Sequence, residues 1–325
     1  MPAGRAGNAG RYGGRCPADG IPTVLVLGGT GTVGSRIAQQ LSAISHPYLV
    51  ASRRQGNSSS SPKTGGTIPD DNMVTFDWLD RSTWNNPFTA ARNKGSKIGS
   101  IYLIAPPGVL DAASVMMGFV DFARQHENGG ARRFVLQSAS AIESGGPAMG
   151  MVHAYLRELG QRGEVEWAVL RPTWFQQNFA EQATHVQSIK DECRVYSATS
   201  DGKIPWVSAD DIAAVAVQTL TRAEPPNTEY LVLGPELLSF QNIADTLSDV
   251  LGKRILHIDL TSDDLERRHQ SFGIPEDYSK MMSVLDTAIK HGMENRTNDV
   301  VQTITGAEPR PFREFAEAAK EIWAA

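Results

Sequence analysis

Two side chains in the middle of the chain have the residue types and the order needed for proton transfer. Ser138 follows the predicted strand 133–137, and Tyr155 lies further on in a predicted helix. Such a pair gives or takes the proton of a carbonyl group when a lysine four residues after the tyrosine lowers its pKa. Here that position is Leu159. Ser138 and Tyr155 are therefore the catalytic candidates, and a packing or substrate-contact role is favoured for Tyr155.

An anion-binding turn is predicted near the start of the chain. The apolar run 23–27 leads into glycines at 28, 31 and 34, and apolar residues then recur with the spacing of a helix. A strand, a glycine turn and a helix form the first half of a βαβ unit, whose helix N-terminus binds a pyrophosphate. A purely structural turn is the alternative, which the flanking elements disfavour. The predicted contacts are Gly28, Thr30, Gly31, Thr32, Val33 and Gly34.

The end of the second predicted strand, 48–55, indicates which dinucleotide binds. NAD-binding chains carry an acidic residue there for the ribose 2′-hydroxyl. This chain has Ser52, Arg53 and Arg54 instead, and a guanidinium pairs with a 2′-phosphate. We predict NADPH as the cofactor, with solvated loop arginines as the alternative. Further cofactor contacts are predicted where the next two strands end, at Asp77, Ala105 and Pro106. For Asp77, capping of a turn is an equal alternative.

The missing lysine also bears on the substrate. Reduction of a carbonyl benefits from a proton donor, because negative charge develops on the oxygen. Reduction of an iminium needs none, because the arriving hydride neutralises a positive nitrogen. Such a site has to align the hydride donor and tolerate a cation. The predicted substrate contacts are Trp174, Phe175, Gln177 and Trp206. For each aromatic residue among them, packing in the core is an equally good explanation.

The order of the predicted elements indicates an α/β fold with a doubly wound parallel sheet of the Rossmann type. Six apolar runs alternate with amphipathic helical patterns, which requires right-handed crossovers between parallel strands. Ligands then bind at the carboxyl ends of the strands. We predict a disordered tail in residues 1–20, an NADP-binding Rossmann domain in 21–230, and a smaller α/β lobe in 231–325 that closes over the substrate.

Helix-capping residues explain some of the charged positions. Ser208 and Asp211 form a capping-box-like pair, which accounts for Asp211 at a helix N-terminus without a catalytic role. Further on, Ser239 and Gly252 have the positions of an N-cap and a helix stop. We therefore predict helices that begin after Ser208 and after Ser239.

The composition is typical of a globular protein and argues against several classes of function. Of the 325 residues 41% are hydrophobic, and the net charge is −5. No apolar stretch reaches the roughly 20 residues of a membrane helix. Neither a nucleic acid nor a membrane is an expected partner. The two cysteines make no disulfide framework and no His or Cys pair has ligand spacing, so we expect a cytoplasmic protein without a metal site.

Four longer segments resemble the NmrA-like branch of the atypical short-chain dehydrogenases. They read GGTGTVGSRIAQQL, RRFVLQSAS, LRPTWFQQNFAEQ and DGKIPWVSADDIAAVA. More narrowly, from about Thr23 to the C-terminus, the chain resembles the fungal agroclavine dehydrogenase and festuclavine synthase family of ergot alkaloid biosynthesis. This resemblance places the phosphate loop at the glycines 28, 31 and 34. It places the 2′-phosphate contact at residues 52–54.

The resemblance implies a reductase that uses NADPH on the iminium formed when chanoclavine-I aldehyde closes its fourth ring. The product would be a tetracyclic clavine, and both agroclavine and festuclavine stay open. The predicted partner is a small alkaloid substrate, and an assisting thiol or an upstream flavoenzyme stays open as a second partner. Two other functions are weighed, a non-catalytic NADP(H)-sensing regulator and a ketone reductase with a relocated acid.

Overall fold

Seven parallel strands form the main sheet of the protein. The computed structural model describes residues 20–53, 68–109, 111–127 and 129–324. The bounds of the strands are Thr23–Val26 (β1), Tyr48–Ser52 (β2), Met73–Thr75 (β3), Ile98–Leu103 (β4), Arg133–Gln137 (β5), Glu166–Pro172 (β6) and Thr228–Val232 (β8). The strands lie in the order β3-β2-β1-β4-β5-β6-β8. The order reverses between β1 and β4, which is where doubly wound sheets bind ligands. The predicted fold class is confirmed. The predicted tail, apart from Gly20, and Arg54 lie outside the described residues.

Helices cover both faces of this sheet. Their bounds are Thr32–Ala43 (α1), Asn86–Asn93 (α2), Ala112–Arg124 (α3), Met149–Gln161 (α4), Asn178–Glu181 (α5), Ala183–Asp191 (α6), Ala209–Thr221 (α7), Phe240–Leu251 (α8), Ser262–Ser271 (α9), Glu276–Lys290 (α10), Val300–Thr305 (α11) and Phe312–Ala319 (α12). One core layer holds α2, α3 and α4, and the other holds α1, α7 and α11. Strand β1 shows why both layers form, since Leu25 faces the first and Val24 and Val26 face the second.

A third core forms a smaller lobe beside the sheet. It includes Phe179 and Ile189, which precede residue 231, together with α8, α12 and Trp323. Two short parallel strands belong to this region, Arg194–Ser197 (β7) and Leu256–Asp259 (β9). Conversely, α11 returns to the main sheet through Val301. The packing therefore does not follow the predicted boundary between residues 230 and 231, because the chain crosses between the two cores several times.

The helix caps predicted from the sequence are present at α8, but the capping box predicted at α7 is not. Ser239 forms a capping box with Asn242, and Gly252 ends α8 with a φ of 62°, as the prediction requires. At α7, the Ser208 side chain accepts a hydrogen bond from the N–H of Asp210. The Asp211 carboxylate instead accepts one from the N–H of Arg310, at 2.8 Å. The predicted capping box is wrong there, because the Asp211 carboxylate binds a distant segment and not the N–H of Ser208.

Candidate functional site

A cleft of about 800 Å³ opens at the carboxyl ends of β1, β2 and β4 and over the segment that follows β3. Eight of the predicted cofactor contacts line it: Gly28, Thr30, Gly31, Ser52, Arg53, Asp77, Ala105 and Pro106. Seven further residues that were not predicted also line the cleft: Ala51, Phe76, Trp78, Leu79, Ile104, Pro107 and Val109. Each of them is close in sequence to a predicted contact. Their proximity was the available signal, but apolar side chains at strand ends do not stand out from core residues.

The glycine turn brings backbone, rather than side chains, to the cleft. Gly28 has a φ of 63°, and a Cβ atom there would lie 2.7 Å from Cγ2 of Ile104. The Gly31 N–H donates to the Gly28 carbonyl at 2.9 Å, which closes the turn. Among the described residues, no side chain caps the start of α1. The N–H groups of its first turn are thus available to an anion, and the turn fits a pyrophosphate.

Three of the predicted phosphate contacts do not line the cleft. Val33 is buried in the core between α1 and the sheet. A Cβ atom on Gly34 would lie 2.3 Å from the Gly28 carbonyl oxygen, so this glycine allows α1 to pack against the turn. Thr32 begins α1, and its hydroxyl donates to the carboxylate of Glu181. These residues pack against or anchor the glycine turn and do not border the open space of the cleft.

The far end of the cleft combines a cation with aromatic side chains. Arg53 is exposed at the end of β2, beside Ser52. Asp77 accepts a hydrogen bond from the Leu79 N–H at 2.9 Å, so it caps a turn and also lines the cleft. Trp78 packs edge-on against Phe76, with ring centroids 5.2 Å apart. A guanidinium next to apolar rings suits a dinucleotide end that carries both a phosphate and a base.

Tyr155 lies in the helix layer and not along the cleft. Its hydroxyl donates to Oδ1 of Asp121 in the last part of α3, at 2.6 Å. Arg124 binds the same carboxylate and also Glu164, which precedes β6 at the amino edge of the sheet. Burial and the hydrogen bond to Asp121 raise the pKa of Tyr155 to about 12. This tyrosine is a poor acid at neutral pH, and it packs against the core as the sequence analysis favours.

Ser138, the second catalytic candidate, lies where β5 ends. Its N–H donates to the Leu170 carbonyl of β6 at 2.7 Å. The side chain is 8% exposed, and its buried hydroxyl has no hydrogen-bond partner among the described residues. A buried hydroxyl normally has a partner. Ser138 therefore has an unused hydroxyl just beyond the end of β5, it is not among the residues that line the cleft, and it does not pair with Tyr155.

The predicted substrate contacts divide into two groups. Trp174 and Phe175 are half-buried after β6. Trp206 is 1% exposed, and its indole N–H donates to the Leu238 carbonyl at 3.3 Å in the smaller core. Gln177 is 2% exposed and binds the start of α7, where its Oε1 accepts from the Ala209 N–H at 2.7 Å. Neither Trp206 nor Gln177 offers a surface to a ligand, which corrects the expectation for these two residues.

Charged side chains that the sequence analysis did not select hold the segment after β5. Arg171 of β6 donates to the Ser140 carbonyl at 2.9 Å and to the carboxylates of Glu143 and Glu229, at 3.0 and 2.8 Å. The hydrogen bond from Arg171 lowers the pKa of Glu143. On the other side of Ser140, the hydroxyl donates to Glu294 at 2.6 Å. Glu294 is remote in sequence, so no local pattern could have indicated it.

Neither a metal site nor a membrane span is found within the described ranges. Searched over those residues, the His, Cys, Asp and Glu side chains form no group of three or more that could hold a metal ion. Likewise, none of the described helices is long and apolar enough to cross a membrane.

Comparisons with known proteins agree with this architecture. The NmrA-like family matches residues 150–316, and the NAD dependent epimerase/dehydratase family matches residues 24–93. Festuclavine synthase II of Penicillium roqueforti is 45% identical over 93% of this chain and 100% of its own length. Agroclavine dehydrogenase of Claviceps fusiformis is 38% identical over 93% of this chain and 98% of its own length.

A solved structure gives the same fold at low sequence identity. Triphenylmethane reductase from Citrobacter sp., crystallised with NADP(H), superimposes with a TM-score of 0.71 and 19% identity. The match covers 91% of this chain and 99% of the reductase chain. At this identity the likeness concerns the fold.

Proposed function

The chain belongs to the NmrA-like family of NAD(P)-dependent oxidoreductases, in the group of festuclavine synthases and agroclavine dehydrogenases, and we propose that it reduces a clavine-type iminium with NADPH. The substrate is the iminium that forms when chanoclavine-I aldehyde closes its fourth ring. The product is a tetracyclic clavine of ergot alkaloid biosynthesis. The relatives' names support this pathway and leave agroclavine and festuclavine both open as the product.

The position of the Tyr155 hydroxyl is the observation that supports an iminium over a ketone. That hydroxyl donates to Asp121 inside the helix layer, so Tyr155 supplies no acid at the carboxyl edge. A ketone becomes an alkoxide during reduction and needs such an acid. An iminium becomes a neutral amine during reduction and does not need an acid. The site therefore suits a substrate that already carries positive charge.

The residues of the cleft fit a bound NADPH. The backbone at Gly28 and Gly31 and the first turn of α1 would hold the pyrophosphate. Ser52 and Arg53 would hold the 2′-phosphate, and the segment 104–107 would border the rest of the molecule. When bound there, NADPH supplies the hydride. The protein aligns the reacting atoms and excludes water from the cation.

Ser138 has a place in this function that does not require proton transfer. Its unpartnered hydroxyl lies at the end of β5, next to the strand whose end borders the cleft. A hydroxyl with one free donor and free lone pairs can orient either the cofactor or the substrate by a hydrogen bond. We assign Ser138 to orientation of a bound molecule.

The test is NADPH oxidation by the purified protein when the cyclised chanoclavine-I aldehyde iminium is supplied. We expect NADPH-dependent formation of a tetracyclic clavine, identified by its mass, and no product when NADPH is omitted. The same assay with a neutral ketone of similar size is the matched control, for which turnover is expected to be far slower. Equal or faster turnover of the ketone would refute the proposed substrate class.

A second function, an NADP(H)-sensing regulator without turnover, is supported by the same geometry. The described residues of the cleft could hold NADPH, while Tyr155 is bound to Asp121 and Leu159 stands where the lysine of proton transfer would be. This alternative predicts tight NADPH binding in titrations and no oxidation of NADPH with any iminium or ketone. Turnover of the iminium at a rate above the spontaneous reaction excludes it.

A further inference from the structure

Glu294 places a carboxylate without a cationic partner deep in the protein. The side chain is 1% exposed and accepts hydrogen bonds from the hydroxyls of Ser140 and Thr173, at 2.6 and 3.2 Å. Among the described residues, no arginine, lysine or histidine forms an ion pair with it. Burial of a carboxylate is costly unless a cation pairs with it. Arg171 and Arg296 donate to the nearby Ser140 carbonyl, at 2.9 and 3.5 Å. Because Arg171 also binds Glu143 and Glu229, the carboxylates of this cluster outnumber its guanidinium groups.

The position of Glu294 connects it to the candidate site. Ser140 and Thr173 continue β5 and β6 beyond their carboxyl ends, and the Ser140 N–H donates to the Pro172 carbonyl at 2.8 Å. Strand β5 pairs with β4, whose continuation at residues 104–107 borders the cleft. The unpartnered hydroxyl of Ser138 belongs to the same segment as Ser140. The carboxylate is thus held at the ligand-binding edge, on the side of the cleft toward β5 and β6.

We propose that Glu294 supplies the fixed negative charge by which this site selects a cationic substrate. This inference rests on the proposed function, because it gives the iminium its counter-charge. Two hydroxyl groups hold the carboxylate out of solvent, so its field is weakly screened and acts on the positive nitrogen of a bound molecule. Since the arriving hydride removes that positive charge, the interaction stabilises bound substrate more than the transition state. Glu294 therefore lowers KM and does not raise kcat.

The test compares a charged probe and an uncharged probe of the same aromatic shape. The charged probe is the tetracyclic clavine product at a pH where its amine is protonated, and the uncharged probe is its tetracyclic analogue with a carbon atom in place of the amine nitrogen. We expect Glu294→Gln to weaken binding of the charged probe about tenfold, because the variant loses a unit charge in the protein interior. Binding of the uncharged probe should stay within about twofold, and KM for the iminium should rise while kcat stays the same or rises.

Matched variants separate this effect from net charge and from loss of structure. Glu158→Gln removes the same charge from an exposed position of α4 and is expected to change neither probe. Glu294→Asp keeps the charge and is expected to retain most of the preference for the charged probe. Thermal melting of each variant checks that it is folded. Equal weakening of both probes by Glu294→Gln, or of neither, would overturn the proposal.

The unaltered protein supplies a test that needs no variant. We expect it to bind the charged probe at least about tenfold more tightly than the uncharged one, and equal binding would also overturn the role of Glu294. This outcome is distinguishable from failure of the proposed function. A protein that prefers the charged probe but does not oxidise NADPH with the iminium would refute the reaction and not the charge selection.

Discussion

The hydroxyl of Thr32 donates a hydrogen bond to the carboxylate of Glu181, which joins the first residue of α1 to the last residue of α5. Arg36 completes this contact, because its Nη1 lies 3.4 Å from Glu181 and donates to the Thr32 carbonyl at 2.6 Å. A carboxylate therefore lies beside the helix N-terminus that would hold a pyrophosphate. Its negative charge stabilises the helix end and opposes a second anion there.

Removal of that charge is expected to strengthen cofactor binding. In Glu181→Gln the amide oxygen still accepts from Thr32, but the repulsion of the pyrophosphate is lost. We expect the Kd for NADPH to fall about threefold at low salt, the size of one charge at a helix terminus. The gain should shrink as salt screens the charge. Fluorescence titration at two ionic strengths measures it, and weaker binding would show that Glu181 mainly holds the turn in shape.

Arg53 is expected to set the preference between the two dinucleotides. Its guanidinium is exposed at the end of β2, where a 2′-phosphate would lie and where NAD-binding chains carry an acid. Arg53→Ala should raise the Kd for NADPH roughly tenfold or more and leave the Kd for NADH nearly unchanged, because a charge-assisted hydrogen bond is lost only with NADPH. Arg132→Ala, at an exposed position before β5, is the control of equal charge. An equal loss for both cofactors would contradict the assignment.

The first βα unit was predictable because its signals are local. The apolar run of β1, the glycines and the helical spacing of α1 lie within about twenty residues, so local propensity and the final structure agree. The same holds for α8, which Ser239 and Gly252 delimit. Residues that meet only through the tertiary fold were not predictable. Asp211 takes its donor from Arg310, and no pattern near Asp211 indicates that partner.

The substrate side shows the same limit. Trp206 has the residue type of a ligand contact, but its packing in the smaller core depends on α5 and α8, which precede and follow it at a distance. Glu294 has no local motif and becomes notable only through its burial and its two hydroxyl donors. Residue type and spacing therefore predicted most of the cleft lining, where one strand end follows another. They did not predict which side chains the smaller core would bury.

Loss of the Tyr155 hydroxyl is expected to affect stability and not catalysis. In Tyr155→Phe the ring still packs against α3, and Asp121 keeps its ion pair with Arg124. We expect the free energy of unfolding to fall by about 1 kcal/mol, the typical net contribution of one hydrogen bond. Because the pKa of Tyr155 is raised to about 12, its ionisation should not appear in the rate profile between pH 6 and 9. Denaturant unfolding and initial rates of NADPH oxidation measure both, and a large loss of kcat would return Tyr155 to the catalytic candidates.

Asp211 makes the stability of the fold depend on pH in a direction opposite to that of an ion-paired carboxylate. Burial raises the pKa of Asp211 to about 6, from an ordinary value of 3.8. An acid whose pKa is higher in the folded state than in the unfolded state makes the folded protein more stable at low pH, where the acid is protonated in both states, than at high pH. That contribution is complete below the unfolded pKa and is lost as the pH rises through about 6. At pH 7 the half-buried charge therefore opposes folding, by about 2 kcal/mol.

Asp211→Asn removes this cost, because the amide is neutral at every pH and its oxygen can still accept from the Arg310 N–H. We expect the variant to be about 2 kcal/mol more stable than the unaltered protein at pH 7 and nearly equal to it at pH 4. Urea unfolding at both pH values measures the difference. The control is Asp210→Asn, which weakens the ion pairs of Asp210 with Arg36 and Arg310 and should lower stability at pH 7 by about 0.5 to 1 kcal/mol. If Asp211→Asn is less stable at pH 7, the carboxylate charge holds the segment around Arg310 in place and its burial is not a net cost.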